Sequence, residues 1–330
     1  YDQALENHQK SLEIRLKQLG PEHPTVADSY NNIGNALYIK GDYDQALENH
    51  QKCLKIRLKQ LGPEQLDCEF FHQGKVYAGP KHLAVAFSYD NIGNALNSKG
   101  DYDQALENHQ KSLEIKHKQL EPKRTRWGFL WLLRGMWSLG PEHSSVADSY
   151  NNIGLALLNK GGYDQRYDVR IVSFSGWTHA IDLSALEYLQ KSLKIRLKKL
   201  GPEHPGVATS YNNIGLALES KGDYDQALEN FEKALAVYLN PSDPQWENIS
   251  VLYQKMSDVY TKAGDEDRAS DYEAMVKWSN SRNEGIASED IDPVKFEEEF
   301  GIPFERAQAI EKKPMKSTKE TNSPSPEEGR

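Results

Sequence analysis

Apolar side chains recur every three or four positions between Pro24 and Lys40, which is the spacing of one face of an α-helix. Pro24 suits a first helical turn, because its missing N–H would have no partner there. Gly41 follows directly, and glycine is typical of the residue that ends a helix. The pattern predicts a helix over residues 24–40 whose buried positions are Val26, Tyr30, Ile33 and Leu37.

The helical spacing resumes directly after Gly41. Asp42 and Gln45 form a capping-box pair that predicts the start of a second helix, and Gly62-Pro63 predicts its end. Small side chains at Gly34 and Ala46 let the two helices approach closely. Residues 24–61 are therefore predicted to form a helical hairpin, with second-helix core positions at Tyr43, Ala46, Leu47, His50, Leu54 and Leu58.

Two phrases of this hairpin return along the chain, which predicts one small unit stacked many times. Copies of YDQALENHQKSLEI begin at Tyr1, Tyr43 and Tyr102, and copies of LGPEHPTVADSYNNIGNAL begin at Leu19, Leu139 and Leu200. Tyr1 stands where the first phrase elsewhere begins the second half of a unit, and no Met precedes it. We therefore expect the sequence to be a fragment of a longer chain.

The repeating unit resembles the tetratricopeptide repeat. The resemblance rests on small Gly and Ala at these offsets, an aromatic after the inter-helix turn, and two helices per unit. The spacing of 42 residues from Tyr1 to Tyr43 exceeds that family's usual length of about 34. With LEIRLKQLGPEHP and VADSYNNIG, the units are most similar to the long repeats of kinesin light chains. The resemblance implies an all-α fold, an α-solenoid of stacked helical hairpins forming a right-handed superhelix.

The predicted array covers residues 1–278, and a disordered polar tail covers 279–330. The stretch 293–304 is the one part of the tail that offers a short helix or docking motif. A half unit at 1–19 is followed by units at about 24–61, 82–120, 142–200, 204–240 and 246–278.

Three blocks interrupt the repeat at 65–81, 121–139 and 166–184. Three origins stay open: retained introns in a gene model, tolerated surface loops, or a membrane-surface segment marked by the basic residues near Trp127. The third block splits a second helix, yet Ser184 and Glu187 offer a new capping box. We predict that this helix restarts at Ala185. The basic residues are Lys123, Arg124, Arg126 and Arg134.

Charge and cysteine content narrow the classes of function. The net charge of −9 and the lack of a sustained basic stripe argue against nucleic acid as a partner. Cys53 and Cys68 imply no disulfide framework, which favours a reducing, cytoplasmic location. The most apolar stretch, 127–137, contains Arg134 and is shorter than the roughly 20 residues of a membrane-spanning helix.

The recurring polar residues predict packing rather than catalysis. His8, His50 and His109 come from successive units and are expected to pack between helices, while His23, His143 and His204 sit in turns at helix starts. Cys53 replaces Ser112 in a small buried slot. No nucleophile–base set, phosphate loop or metal-ligand spacing occurs. The sequence therefore predicts no enzyme activity, no cofactor, no metal and no small-molecule substrate.

Asparagines on the first helices are the candidate binding residues. The resemblance implies that these helices line a concave groove, where Asn31 and Asn35 lie one turn apart. Amide side chains donate and accept hydrogen bonds, which suits the backbone of an extended peptide. The alternative is that the asparagines only serve inter-helix contacts and were copied by duplication. The candidate set is Asn31, Asn35, Asp90, Asn94, Asn151 and Asn212.

The leading hypothesis is a non-catalytic scaffold or adaptor that binds a protein or peptide ligand in this groove. An acidic C-terminal ligand is not expected, because Asn31 and Asp90 occupy the position where carboxylate-clamping repeats carry Lys. A second hypothesis is the sensor or oligomerisation module of a larger signalling protein. A third is an expanded array with no dedicated ligand.

Overall fold

The computed structural model describes residues 2–61, 80–120, 143–161, 167–172, 178–240, 244–283 and 293–310. It consists of two compact units, residues 1–195 and 196–330, which are treated separately below. Each unit is built of helical hairpins packed side by side.

The first unit contains α1 (Asp2–Leu19), α2 (Pro24–Lys40), α3 (Tyr43–Leu61), α4 (Pro80–Lys99), α5 (Tyr102–Leu120), α6 (Ser144–Asn159), β1 (Tyr167–Val172) and β2 (Thr178–Leu183). Helix α7 (Ala185–Leu200) crosses the boundary between the units. The second unit contains α8 (Pro205–Lys221), α9 (Tyr224–Tyr238), α10 (Trp246–Lys262), α11 (Glu266–Asn283) and α12 (Pro293–Phe300). Helices pack in the hairpins α2–α3, α4–α5, α8–α9 and α10–α11, and α3 packs on α4. These stacked pairs confirm the predicted α-solenoid.

The helix ends follow the predicted local chemistry. Gly41 adopts φ +86° and donates its N–H to the Tyr38 carbonyl, so α2 ends at a left-handed glycine. Asp42 accepts from the Gln45 backbone N–H at 3.1 Å, which confirms the predicted cap. The three turn histidines act as N-caps, because each Nδ1 accepts a backbone N–H two residues later. The pairs are His23 with Thr25, His143 with Ser145, and His204 with Gly206.

Glycines and large side chains fit together inside each hairpin. A Cβ placed on Gly34 would lie 2.6 Å from the His50 ring, and one on Gly93 would lie 2.6 Å from the His109 ring. Both histidines are buried, which confirms their predicted packing role. In the second unit, Phe231 holds the same position against a glycine. The equivalent pairs are Gly154 with Leu189 and Gly215 with Phe231.

Replacing His50 with Phe is expected to remove an acid sensitivity. Burial, aided by the charge of Arg57, lowers the pKa of His50 from 6.5 to about 4. The folded state therefore binds a proton at His50 less readily than the unfolded state does. As a result, the contribution of His50 to stability is complete above about pH 6.5 and is lost as the pH drops toward 4. Urea unfolding at pH 7 and pH 5 should show that the free energy of unfolding decreases less between these pH values for His50→Phe than for wild type. An equal loss in both proteins would contradict this assignment.

The third inserted block was only partly predicted. Helix α7 begins at Ala185 as expected, with the Ser184 N–H donating to Glu187 Oε2 at 2.7 Å. The block itself contains an antiparallel hairpin of β1 and β2, paired from Tyr167 with Leu183 to Val172 with Thr178, which the sequence analysis did not predict. The block 121–139 lies outside the described residues, and so does 65–79. Helix α4 begins at Pro80, inside the block predicted at 65–81.

The tail prediction is wrong for part of its range. Helix α11 continues to Asn283, and residues 293–310 contain a second packed segment. Phe300 meets Trp278 edge-on, with ring centroids 5.6 Å apart, and Ile302 and Ala307 are buried. Apolar side chains on this segment thus find a surface on the last hairpin that spacing along the chain does not reveal. Residues 284–292 and 311–330 lie outside the described part.

Candidate functional site

The first helices of three successive hairpins lie side by side and are linked by polar side chains. Between α2 and α4, Asn91 Nδ2 donates to Asn31 Oδ1 at 2.9 Å, and the Tyr38 and Ser98 hydroxyls are 3.0 Å apart. Between α4 and α6, Asn159 Nδ2 donates to Asn97 Oδ1 at 3.3 Å. We call the outward surface of α2, α4 and α6, with its side chains Asn31, Asn35, Asn91 and Asn94, the amide face.

The structure brings three of the predicted residues together on this face. Asn35 is exposed, while Asn31 and Asn94 are half-buried. Asn31 uses its amide oxygen to accept the bond from Asn91, so it links the repeats. Asn35 and Asn94 occupy equivalent positions in successive units, and they are the predicted amides most open to a ligand.

Asp90 does not line the surface. It is 6% exposed, and its Oδ2 lies 2.5 Å from Lys116 Nζ. Lys116 also donates to the Ser145 carbonyl at 2.9 Å and to Ser149 Oγ at 2.7 Å. The carboxylate therefore belongs to the contact between α4, α5 and α6. Helical spacing alone predicts that Asp90 lies on the outside, because the spacing along α4 does not show that Lys116 on α5 binds this carboxylate in the interior.

The charge of this cluster is balanced inside the stack. Burial alone would raise the pKa of Asp90, but the His109 hydrogen bond and the Lys116 charge outweigh it and hold that pKa below its usual value. His109 Nδ1 lies 3.4 Å from Asp90 Oδ1. Asp90 is thus an anion with two partners.

The two remaining candidates are more enclosed than expected. Asn151 on α6 is 6% exposed. In the second unit, Asn212 Nδ2 donates to Asn213 Oδ1 at 3.1 Å. Its Oδ1 is buried and has no hydrogen-bond partner among the described residues.

A basic residue near the end of α1, α3, α5 and α7 clamps the next repeat, a role that was not predicted from the sequence. Arg57 Nη1 donates to the Ala84 carbonyl at 2.9 Å and to Ser88 Oγ at 2.8 Å. The same two bonds recur for Arg15 with Thr25 and Ser29, Lys116 with Ser145 and Ser149, and Arg196 with Gly206 and Ser210. The signal for this role in the sequence is the joint recurrence of the base and the serine from repeat to repeat.

Two properties of the described residues bear on other functions. No helix in them has the length and apolar character needed to cross a membrane. No group of three or more His, Cys, Asp or Glu side chains in the same ranges is arranged to hold a metal ion.

Comparison with known proteins identifies the repeat. Tetratricopeptide repeat family models match residues 1–59, 183–240 and 85–121. The chain is a tetratricopeptide repeat protein. No curated protein sequence matches it closely enough to count as a relative.

Solved structures share the fold of this tetratricopeptide repeat protein at low identity. BtubC (BKLC) from P. vanneervenii is 17% identical, with a TM-score of 0.55, covering 87% of this chain and 93% of its own. The nearly identical TPR-like repeats of a Podosopora anserina protein named for kinesin light chains are 17% identical, with a TM-score of 0.50, covering 80% and 99%. Aspartyl phosphate phosphatase F from Bacillus subtilis is 13% identical, with a TM-score of 0.54, covering 93% and 64%. At these identities the likeness concerns the fold alone.

Proposed function

We propose that this protein is a non-catalytic scaffold that holds an extended peptide segment of a partner protein on the amide face. Tetratricopeptide repeats generally mediate protein–protein interaction, and the amide face adds the specific support. The observation that carries the proposal is the Asn91–Asn31 bond between repeats, which aligns α2 and α4 and leaves the exposed Asn35 and the half-buried Asn94 beside it.

The chemistry of these amides suits a peptide backbone. Each Asn side chain offers a carbonyl acceptor and an NH₂ donor, and an extended backbone presents the complementary groups at regular intervals. Because Asn35 and Asn94 come from equivalent positions of neighbouring hairpins, they can bond successive parts of one strand. Asp90, which is buried and paired, takes no part in this contact.

The cations at the edge of the face already have partners. The lysines at the ends of α2 and α4, and the lysine directly after α6, each contact an aspartate on the preceding second helix. The pairs are Lys40 with Asp2, Lys99 with Asp44 and Lys160 with Asp103. An acidic ligand would have to compete with these carboxylates, so the arrangement favours a segment without a strong negative charge.

The potential catalytic side chains have structural roles, which supports the non-catalytic part of the proposal. Cys53 is buried, and burial raises the pKa of its thiol, which disfavours the reactive thiolate. Five of the ten histidines either cap a helix or pack against glycine. They are His23, His50, His109, His143 and His204.

Alanine substitution at Asn35 or Asn94 is expected to weaken binding of peptides enriched from a displayed random library. Loss of one net hydrogen bond, about 0.5 to 1.5 kcal/mol, corresponds to roughly 2- to 12-fold in Kd. Fluorescence anisotropy with synthetic versions of the enriched peptides measures the change.

Asn49 and Asn108 provide matched controls. Both are half-buried asparagines on second helices, where each side-chain amide donates to a backbone carbonyl of its own helix four residues back. Their alanine variants should bind like wild type. If Asn35→Ala and Asn94→Ala also bind like wild type, the assigned face is wrong.

A further inference from the structure

The second full repeat, α4 and α5, departs from its neighbour at three linked positions. Phe87 stands where the first repeat has Asp28, Asp90 stands in place of Asn31, and Lys116 stands in place of Arg57. The equivalent residues in later repeats are Asp148, Asn151 and Arg196, then Thr209, Asn212 and Tyr238. The three changes therefore occur together in this repeat.

The changes move a carboxylate from the surface to the interior. In the first repeat, Asp28 is at the surface, with 57% of its side chain exposed, and its Oδ1 accepts from Arg57 Nη2 at 3.0 Å. In the second repeat the carboxylate that balances the cation is Asp90, whose side chain is 9% exposed. The surface position, which Asp28 occupies in the first repeat, therefore needs no carboxylate to balance the cation in the second repeat.

Phe87 occupies the position that this exchange makes available. Its side chain is among the exposed large hydrophobics at 46%, and Lys116 Nζ lies 5.3 Å from the ring centroid. Asp90 and Lys116 neutralise each other beside the ring, so this pair presents no net charge to a group that contacts Phe87. The exposed ring thus fits an uncharged apolar group better than a charged one.

The ring also shares a helix face with the amides. Asn91 and Asn94 follow Phe87 by four and seven residues, so the three side chains lie along one side of α4. A strand bonded to the amides would pass the ring within about two helical turns, or roughly 11 Å.

We propose that Phe87 is a specificity anchor of the amide face and receives a large uncharged apolar side chain, such as Leu, Met or Phe, from the bound peptide. The anchor rests on the proposed function, because it selects among peptides held by the same face. Phe87 contributes contact area, while Asn35 and Asn94 contribute the backbone bonds.

The test uses peptides enriched by the full chain from a displayed random library. The enriched peptides should share one large apolar position, and replacing it with Ser should weaken binding at least tenfold. Phe87→Ala should raise the Kd for the parent peptide at least tenfold, and Phe87→Leu should raise it less than threefold. Ile14→Ala, which alters another exposed hydrophobic at 55% on α1, is the matched control and should leave the Kd unchanged.

Thermal unfolding of each variant separates binding from folding, since an exposed side chain should change the melting temperature little. If the library yields no peptide, the proposed function fails and the anchor with it. If peptides bind and depend on Asn35 and Asn94 but not on Phe87, the anchor alone is overturned. Enriched peptides that share no apolar position would also overturn it.

Discussion

Replacing Lys116 with Met is expected to lower the free energy of unfolding by about 3 to 5 kcal/mol, the usual cost of removing one partner of a buried ion pair. Lys116 is fully buried and serves three acceptors: Asp90, the Ser145 carbonyl and Ser149. Met has a similar volume, so the loss reflects the unpaired carboxylate rather than a cavity. Urea unfolding measures the change, and hydrogen exchange in α4, α5 and α6 should locate it.

The neighbouring repeats supply the control for this substitution. The first repeat has Asp28, Asn31 and Arg57 at these three positions, and the third has Asp148, Asn151 and Arg196. The triple variant Phe87→Asp, Asp90→Asn and Lys116→Arg restores that set, including a surface carboxylate for the cation like the one that pairs with Arg57, and should therefore lose much less stability than Lys116→Met. Lys116→Met with no effect, or a triple variant as unstable as Lys116→Met, would contradict the proposed cluster.

Replacing Gly34 with Ala is expected to destabilise the first full hairpin by about 1 to 3 kcal/mol, the usual cost of overpacking. Alanine is the better helix former by about 1 kcal/mol, so helix propensity alone predicts the opposite sign. The new Cβ would lie 2.6 Å from the His50 ring, and the helices would have to move apart. Thermal and urea unfolding decide between the two signs.

The clash can be isolated with a second substitution. His50→Ala removes the ring that the new methyl group meets, so Gly34→Ala should cost much less in the His50→Ala background. A double-mutant cycle measures this coupling. Additive effects would show that the close approach of Gly34 and His50 does not limit the hairpin.

Local chemistry made much of the fold predictable. Hairpin boundaries follow from residues that act on their own segment, such as Gly41 at the end of α2 or Ser184 and Glu187 at the start of α7. The packing of Gly34 against its partner helix follows from the same repeat phrase. These features depend on residues close together in sequence.

Features set by distant residues were not predictable in the same way. Asp90 looked exposed because Lys116, which draws it inside, lies on another helix. The packing of Phe300 on Trp278 depends on a surface that only the folded last hairpin provides. Alignment of the repeats shows that Phe87 stands where the first repeat has Asp28. Its proposed role as an anchor, however, depends on the buried position of Asp90, which only the structure shows.

The central claim is that a peptide lies on the amide face, and photo-crosslinking tests it most directly. A peptide enriched from the displayed library, synthesised with a benzophenone side chain beside its common apolar residue, is irradiated with the full chain. Mass spectrometry then maps the attachment sites. The account predicts crosslinks on α2, α4 or α6, lost when unlabelled peptide competes. Competable crosslinks confined to the second helices α3 and α5 would contradict it.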